Sequence, residues 1–510
     1  MRGYVQDNIR LLLRVNVNRT THLHSGIIIL DPSAENYASS ITFRDGVVSA
    51  IDDTAPPGAF LIDLHGQTLC PGFVDSHLHL ILGSSGTGDV DLSQCKNRST
   101  FEENLQHGLE TIEKTQWLIA SGWSEQTLGT LPTIDWVNCI QDVPVLCWCT
   151  DFHAAILNSA ALKHLDLHSI ENIVGGKECK RGIVKETALW EHVAPFIPTP
   201  SASKIESRLK VLSNSLHEDG ITLVGAMEEL KDVENFLFPL REELQIRMRL
   251  MLMDEPTADN FTRCIPFSND PLITVTGFKT FIDGTLGSRT AKMYAPYSDV
   301  DSSGVLVGHA LQGDIDDWVN AVVHGGFAPV MHAIGDEAVG VSLKSLQYVP
   351  RELIPRIEHA QFIDQRDSSS LQGQWFGVQP LHKPPDDEIA LDAVGAKRAS
   401  QLHNWRIMLD SGAKLSFGSD WPIAPHRPIE AMAVAIKSGL TPKEALVATT
   451  VDAAKSLREP LAGTLQISSF ADATVLTCNP LECDWESQLP SVTMTIVGGV
   501  IQFQQELEDE

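Results

Sequence analysis

The sequence predicts an α/β fold: a (β/α)8 barrel of the TIM type, a small β-sandwich formed from both chain ends, and a large insertion after the first barrel strand. Three observations carry this expectation. Eight apolar β-type runs alternate with helical patterns through the middle of the 510 residues, and eight parallel strands joined by crossover helices close into a barrel. Both chain ends are rich in short strands, yet neither holds enough apolar residues to stand alone. Well over a hundred residues separate the first run from the second, far more than a normal βα connection needs.

Residues 1–24 show no clear periodicity and are expected to form a loose leader. From Ser25, "SGIIILDP" and "SSITFRDGVVSAID" cluster or alternate β-branched residues, and Asp45-Gly46 supplies the dipeptide of a tight hairpin. At the other end "FADATVLTCNP" and "SVTMTIVGGVIQF" read as strands turning at Gly498-Gly499. Segments 25–71 and 463–510 are therefore expected to pair into one β domain beside a barrel spanning 72–462. The eight runs of that barrel are "GFVDSHLHL" from Gly72, "GITLVGAM" from Gly220, "QIRMRLMLMD" from Gln245, "ITVTGFKTFIDG" from Ile273, "FAPVMHAIGD" from Phe327, "PRIEHAQFI" from Pro355, "WFGVQPLH" from Trp375 and "AKLSFGSDWP" from Ala413. The insertion, about 81–205, contains "STFEENLQHGLETIEKTQWLI", with the apolar spacing of a helix opened by a Ser/Thr cap. It also contains "VPVLCWCTDFHAAILNSAAL", a β run expected to turn into a helix at His153.

Composition narrows the function. A formal charge of −28 repels nucleic-acid phosphates and acidic membrane surfaces, so neither is expected as a partner and a small molecule is. Nine scattered cysteines without a C-x-x-C pair suit buried thiols in a reducing compartment, and no run approaches the ~20 apolar residues of a membrane span. The cytoplasm is the expected location. The sequence leaves the oligomeric state open, including a homo-oligomer.

Polar residues gather at the C-terminal ends of five runs, where barrels of this type place their chemistry: His77 and His79 on the first, Lys279 on the fourth, His332 on the fifth, His359 on the sixth and Asp420 on the eighth. Alternation along a strand turns His77 and His79 to one face. Taken singly, each residue has an ordinary reading: a hydrogen-bonded core histidine, an ion-paired lysine, or a turn cap at Trp421-Pro422. Jointly, imidazoles and a carboxylate in one mouth make an N/O cage suited to zinc or a similar divalent ion. A buried lysine can lose its proton, and its neutral amine can then add carbon dioxide to give a carbamate able to bridge two metals.

The combination "PGFVDSHLH", "DFHAAILNSAAL", "GFKTFIDGTLGSRTA", "MHAIGDEAV", "IEHAQ", "VQPLH", "FGSDWPI" and "LTPKEALVATTVDAA" resembles the amidohydrolase superfamily, and more narrowly its amidohydrolase-3, or YtcJ-like, branch. The resemblance implies that His77, His79, Lys279, His332, His359 and Asp420 form the metal shell, with one or two zinc-type ions per chain and Lys279 carboxylated if two are bound. It further implies hydrolysis of an amide, formamide or cyclic amide through a metal-activated hydroxide, with Asp420 as the catalytic acid/base. Candidate substrate-binding residues are Arg289 in the glycine-rich "GTLGSRT", His153, His382 and Trp421; a plain turn with a surface arginine and structural histidines are the competing readings. A lactonase or phosphoester hydrolase on the same centre, or a non-catalytic scaffold, remain alternatives.

Overall fold

A computed structural model of the chain describes residues 20–86, 88, 90–110, 117–268 and 270–506. All eight runs form strands: β1 (Phe73–Leu78), β2 (Ile221–Glu228), β3 (Arg247–Leu252), β4 (Ile273–Phe281), β5 (Ala328–Ala333), β6 (Arg356–His359), β7 (Trp375–Val378) and β8 (Lys414–Phe417). They lie in that order in one parallel sheet. Both faces of such strands are covered, which is why each reads as a nearly continuous apolar run. The helices between them pack their apolar stripes on the barrel; in Ala202–Glu218, for example, Ile205, Leu209, Leu212 and Leu216 recur at helical spacing and are buried.

The barrel closes between β8 and β1 through a seam of a different kind. The Asp420 N–H donates to the His77 carbonyl (2.6 Å), the His79 N–H to the Trp421 carbonyl (2.8 Å), and the Ser419 N–H to Asp75 Oδ1 (2.9 Å). A single parallel bridge, Leu78 to Trp421, completes it.

Both ends of the chain meet in one sheet. Its strand order is Val500–Gln504, Val492–Val497, Ala473–Leu476, Thr68–Pro71, Thr21–Asp31, Asn36–Arg44, Val47–Ile51, with Phe60–Asp63 also paired to Thr21–Asp31. Thr21–Asp31 serves two partners in turn, Phe60–Asp63 along its first half and Thr68–Pro71 along its second, with a break in register between His24 and Ile28. The hairpins turn at Asp45-Gly46 and Gly498-Gly499, all four residues at positive φ, the conformation that selects Asp-Gly and Gly-Gly. Two buried Arg–carboxylate pairs hold barrel to sheet and to the segment leading into it: Arg247 with Asp472 (2.5 and 3.0 Å) and Arg249 with Glu459 (2.5 and 3.0 Å). They account for the two arginines that interrupt an otherwise apolar β3.

The insertion after β1 is built on a five-stranded sheet ordered Ile183–Lys185, Ala154–Leu157, Val145–Cys149, Leu118–Trp123, Val90–Asp91. Three local expectations change. Residues 1–19 of the expected leader lie outside the described residues, while Thr21–His24 already belong to a strand, because Phe60–Asp63 offers them a hydrogen-bonding edge. The helix expected to begin at a Ser/Thr cap spans Arg98–Leu109 and is capped instead by Asn97, whose side chain accepts from the Thr100 N–H; the downstream Leu118 and Ile119 are in a strand. The helix expected at His153 is a second strand, Ala154–Leu157, folded back on Val145–Cys149 through a turn in which Phe152 takes φ 57°. Helix resumes at Ser159–Leu162.

All nine cysteines are free thiols. Among the described residues no helix is long and apolar enough to cross a membrane.

Candidate active site

The C-terminal mouth of the barrel opens into a cavity of about 1700 Å³, roofed on one side by the insertion. At its floor, His77, His359 and Asp420 each offer a ligating atom, all within 4.8 Å of one another. His79 joins them: Asp420 Oδ1 lies 3.4 Å from His77 Nε2 and 3.3 Å from His79 Nε2. The His332 ring packs edge-on against His359 with centroids 4.5 Å apart. Asp420 and His359 both sit at positive φ (61° and 72°), backbone strain of the kind that collects where a side chain must be aimed.

What fixes the rings is the occupation of one nitrogen on each. His77 Nδ1 bonds to Glu358 Oε2 (2.6 Å), His79 Nδ1 to the Met227 carbonyl (3.2 Å), His359 Nδ1 to Gln379 Oε1 (2.8 Å), and His332 Nε2 to the Gly284 carbonyl (3.2 Å). Second partners of this type set tautomer and orientation in metal-ligating histidines. Glu358 is itself anchored by Arg356 Nη2 (2.8 Å), and all three members of this chain are buried. The buried His77 Nε2 and Lys279 Nζ are left without a hydrogen-bond partner among the described residues. Orphaned donors and acceptors in a protein interior call for an absent partner, and a set of imidazoles, a carboxylate and an amine with no thiolate fits zinc or a similar divalent ion.

Electrostatics favours the neutral form at three of the four floor imidazoles. Burial drives the His79, His332 and His359 pKa values down, those of His332 and His359 well below the ordinary range. Burial also acts on His77, but the charges of Asp420 and Glu358 outweigh it and raise its pKa. Burial alone would raise Asp420; His77 and His79 hold it well below the usual carboxylate range. Lys279 is pushed down to about 8 by burial, against the pull of Glu358 and Asp420, with its Nζ 4.5 Å from the Phe281 ring centroid.

The candidate substrate residues divide. His153 reaches the floor from the insertion, its ring 5.2 Å from that of His332 and its Nδ1 2.9 Å from Glu186 Oε2. Burial disfavours its charge, yet Glu186 raises it to about 9. His382 Nε2 lies 3.9 Å from Asp420 Oδ2. Arg289 lines the cavity, but its guanidinium is engaged by Asp299 (2.7 and 2.8 Å) and by the carbonyls of Leu286 and Gly287, so it braces its own loop. Trp421 packs behind the wall, its ring so close to Gly83 that a Cβ there would lie 1.8 Å away.

Four positioning residues fall outside the set that the sequence singles out. Glu358 and Gln379 carry a signal, a polar side chain inside a buried strand run or at its end. Asp283, at the end of the fourth run, carries the same signal, and Glu186 carries none. The Asp283 carboxylate is fully buried and accepts the N–H groups of Lys292, Ile334 and Gly335 (2.8–3.0 Å), tying the β4 and β5 loops together; burial raises it to about 7.

A family model described as the amidohydrolase family matches residues 61–503. The Bacillus subtilis protein YtcJ is 24% identical over 94% of this chain and 99% of its own. An N-substituted formamide deformylase of Arthrobacter pascens is 24% identical over 90% of this chain and 92% of its own. The crystal structure of a metal-dependent hydrolase from Pyrococcus furiosus superposes with a TM-score of 0.71 at 26% identity, over 91% of this chain and 100% of that one.

Proposed function

The chain belongs to the amidohydrolase family, and on that premise we propose that it is a metal-dependent hydrolase cleaving a C–N bond other than a peptide bond, in an amide, formamide or cyclic amide of a small molecule. The observation that carries the reading is the convergence of His77, His79, His359 and Asp420, with the opposite nitrogen of each imidazole already occupied. The relative named for an N-substituted formamide supports the bond type.

In this reading His77, His79, His332, His359 and Asp420 would hold the ion, zinc in the first instance. Lys279 would join them as a carbamate if two ions are held. A bound divalent ion supplies Lewis acidity, polarising the scissile carbonyl and acidifying water at the floor. The remaining work falls to side chains. Asp420 takes a proton from the attacking water and delivers it to the departing nitrogen, a role typically contributing about 10²–10⁴-fold. His153, oriented by Glu186 and reaching the floor from the insertion, would donate to the carbonyl oxygen. Free cysteines support a reducing, cytoplasmic setting.

The test is a panel of N-acyl amino acids, formamides, hydantoins, lactones and phosphoesters, run with zinc- or manganese-loaded protein. Turnover of a C–N substrate is expected. Cleavage confined to lactones or phosphoesters overturns the bond assignment, and a protein that retains no divalent metal overturns the metal centre. Native mass measurement in bicarbonate is expected to show one added carbon dioxide that Lys279→Ala lacks.

A further inference from the structure

Building on the hydrolase reading, we propose that the substrate carries a positive charge, as an N-acylated amine with an ammonium group elsewhere, and that the cavity turns away amides bearing a carboxylate. Among the described residues, thirteen carboxylate side chains line the cavity against four lysines and arginines. Arg289 is committed to Asp299 and Lys185 Nζ donates to the Ser288 carbonyl (3.2 Å), while Lys279 Nζ lies buried at the floor without a hydrogen-bond partner among the described residues. The fourth, Lys177, is exposed.

Some of the carboxylates are paired, Glu178 with Arg181 (2.7 Å), Glu229 with Lys231 (2.6 Å) and Asp386 with His403 (2.8 Å), and others meet only neutral donors. On the insertion side, Asp151 accepts from the Thr285 and Ser288 hydroxyls (2.7 and 3.1 Å) and from the His153 N–H (3.0 Å). On the barrel side, Glu228 accepts the Leu80 N–H (2.6 Å) and Asp254 the Leu230 N–H (2.6 Å), so both are satisfied by neutral backbone donors. An independent observation comes from Glu186, a residue only 4% exposed that lines the cavity. Its Oε2 serves His153, while its buried Oε1 has no hydrogen-bond partner among the described residues. A buried carboxylate oxygen of this kind calls for a donor, and a substrate ammonium or amide N–H is the donor that matches it. A divalent ion at the floor offsets Asp420, and because burial raises Glu228 well above the ordinary carboxylate range and Asp254 above it, the negative charge of the walls rests on the less buried carboxylates. Concave walls of one sign concentrate counter-ions and raise association rates about 10–10³-fold, an effect that salt weakens.

The experiment separates this proposal from the hydrolase reading by including a measurement that needs no turnover. Binding of 1,5-bis(trimethylammonio)pentane and of pentane-1,5-disulfonate to metal-loaded protein is measured by calorimetry at low and high salt. The dication is expected to bind at least tenfold more tightly at low salt, with the gap narrowing at high salt. The double variant Asp232→Asn/Asp254→Asn, at two residues that line the cavity, is expected to shrink the gap severalfold, while Glu102→Gln/Glu103→Gln, outside the cavity, leaves it unchanged. Equal affinities, preference for the disulfonate, or an equal loss in both double variants overturns the proposal. In parallel, kcat/KM is compared for N-formyl-1,5-diaminopentane, N-formylhexylamine and N-formyl-6-aminohexanoate. The expected order is cation, neutral, anion, and a reversed order overturns the proposal. Failure of all three to react counts against the formamide reading, and the calorimetric comparison then decides the charge preference by itself.

Discussion

Replacing Glu358 by Gln isolates the contribution of the buried chain beneath the proposed metal floor. In the native protein the His77 Nδ1–H donates to Glu358 Oε2 at 2.6 Å while Arg356 holds Oε1 at 2.8 Å, and none of the three is more than 1% exposed. Glutamine keeps the volume and an acceptor for His77, but removes the charge and turns an NH2 toward the Arg356 guanidinium. A charge-assisted hydrogen bond worth about 1.5–3 kcal/mol becomes an ordinary one near 1 kcal/mol, and Arg356 loses its buried counter-ion. His77 becomes a weaker and less firmly aimed ligand. Loss of such a partner typically costs about 10–100-fold in metal affinity, or roughly 1.4–2.7 kcal/mol. Zinc affinity is measured by competition with a chromophoric chelator on stripped and reloaded protein, with thermal melting of the same samples as the control for folding. A folded Glu358→Gln protein that binds zinc within threefold of the native affinity refutes the reasoning.

Under the proposed mechanism Asp420→Asn is expected to lower kcat by about 10²–10⁴-fold with its metal content largely retained, because the amide would still ligate but would not relay a proton; metal analysis beside steady-state kinetics checks this. His217, in Ala202–Glu218, bonds through Nε2 to the Gln245 carbonyl (3.2 Å) and is lowered by burial to about 4. Its folded pKa lies below the unfolded value of 6.5, so its contribution is intact above pH 6.5 and is lost as pH falls toward 4, by about 3 kcal/mol at most. Denaturant titrations of His217→Gln across that window should show a shallower acid dependence than the native protein, and identical slopes count against the assignment. Gly83→Ala drives a methyl group into the Trp421 ring and should cost about 1–3 kcal/mol of stability, read from the shift in denaturation midpoint.

The barrel is legible in the sequence because its strands are covered on both faces, which leaves each as an unbroken apolar run, and because turn residues at Asp45-Gly46 and Gly498-Gly499 announce hairpins by a backbone requirement. The histidines of the floor are legible because alternation places His77 and His79 on one face. What a linear reading lacks is the identity of contacts made across the fold. Glu358 meets His77 from 281 positions away, and nothing near either residue records the pairing. Arg289 looks available for a substrate until Asp299 is seen to occupy it. The strand at Ala154–Leu157 reads as helix because its alanines suit one, and only a neighbouring strand at Val145–Cys149 decides otherwise.

The shared sheet of the two chain ends sets a timetable for synthesis. Cys70 and Thr474, neighbours across its middle, are 404 positions apart, so a ribosome adding about 5–20 residues each second makes the first wait roughly 20–80 s for the second. Through that interval the early strand shows an open edge to every other nascent chain nearby. Expression at high ribosome density should thus lose more of this protein to aggregates than slow expression does, and the loss should begin at the half-finished sheet while the barrel beside it is still being made.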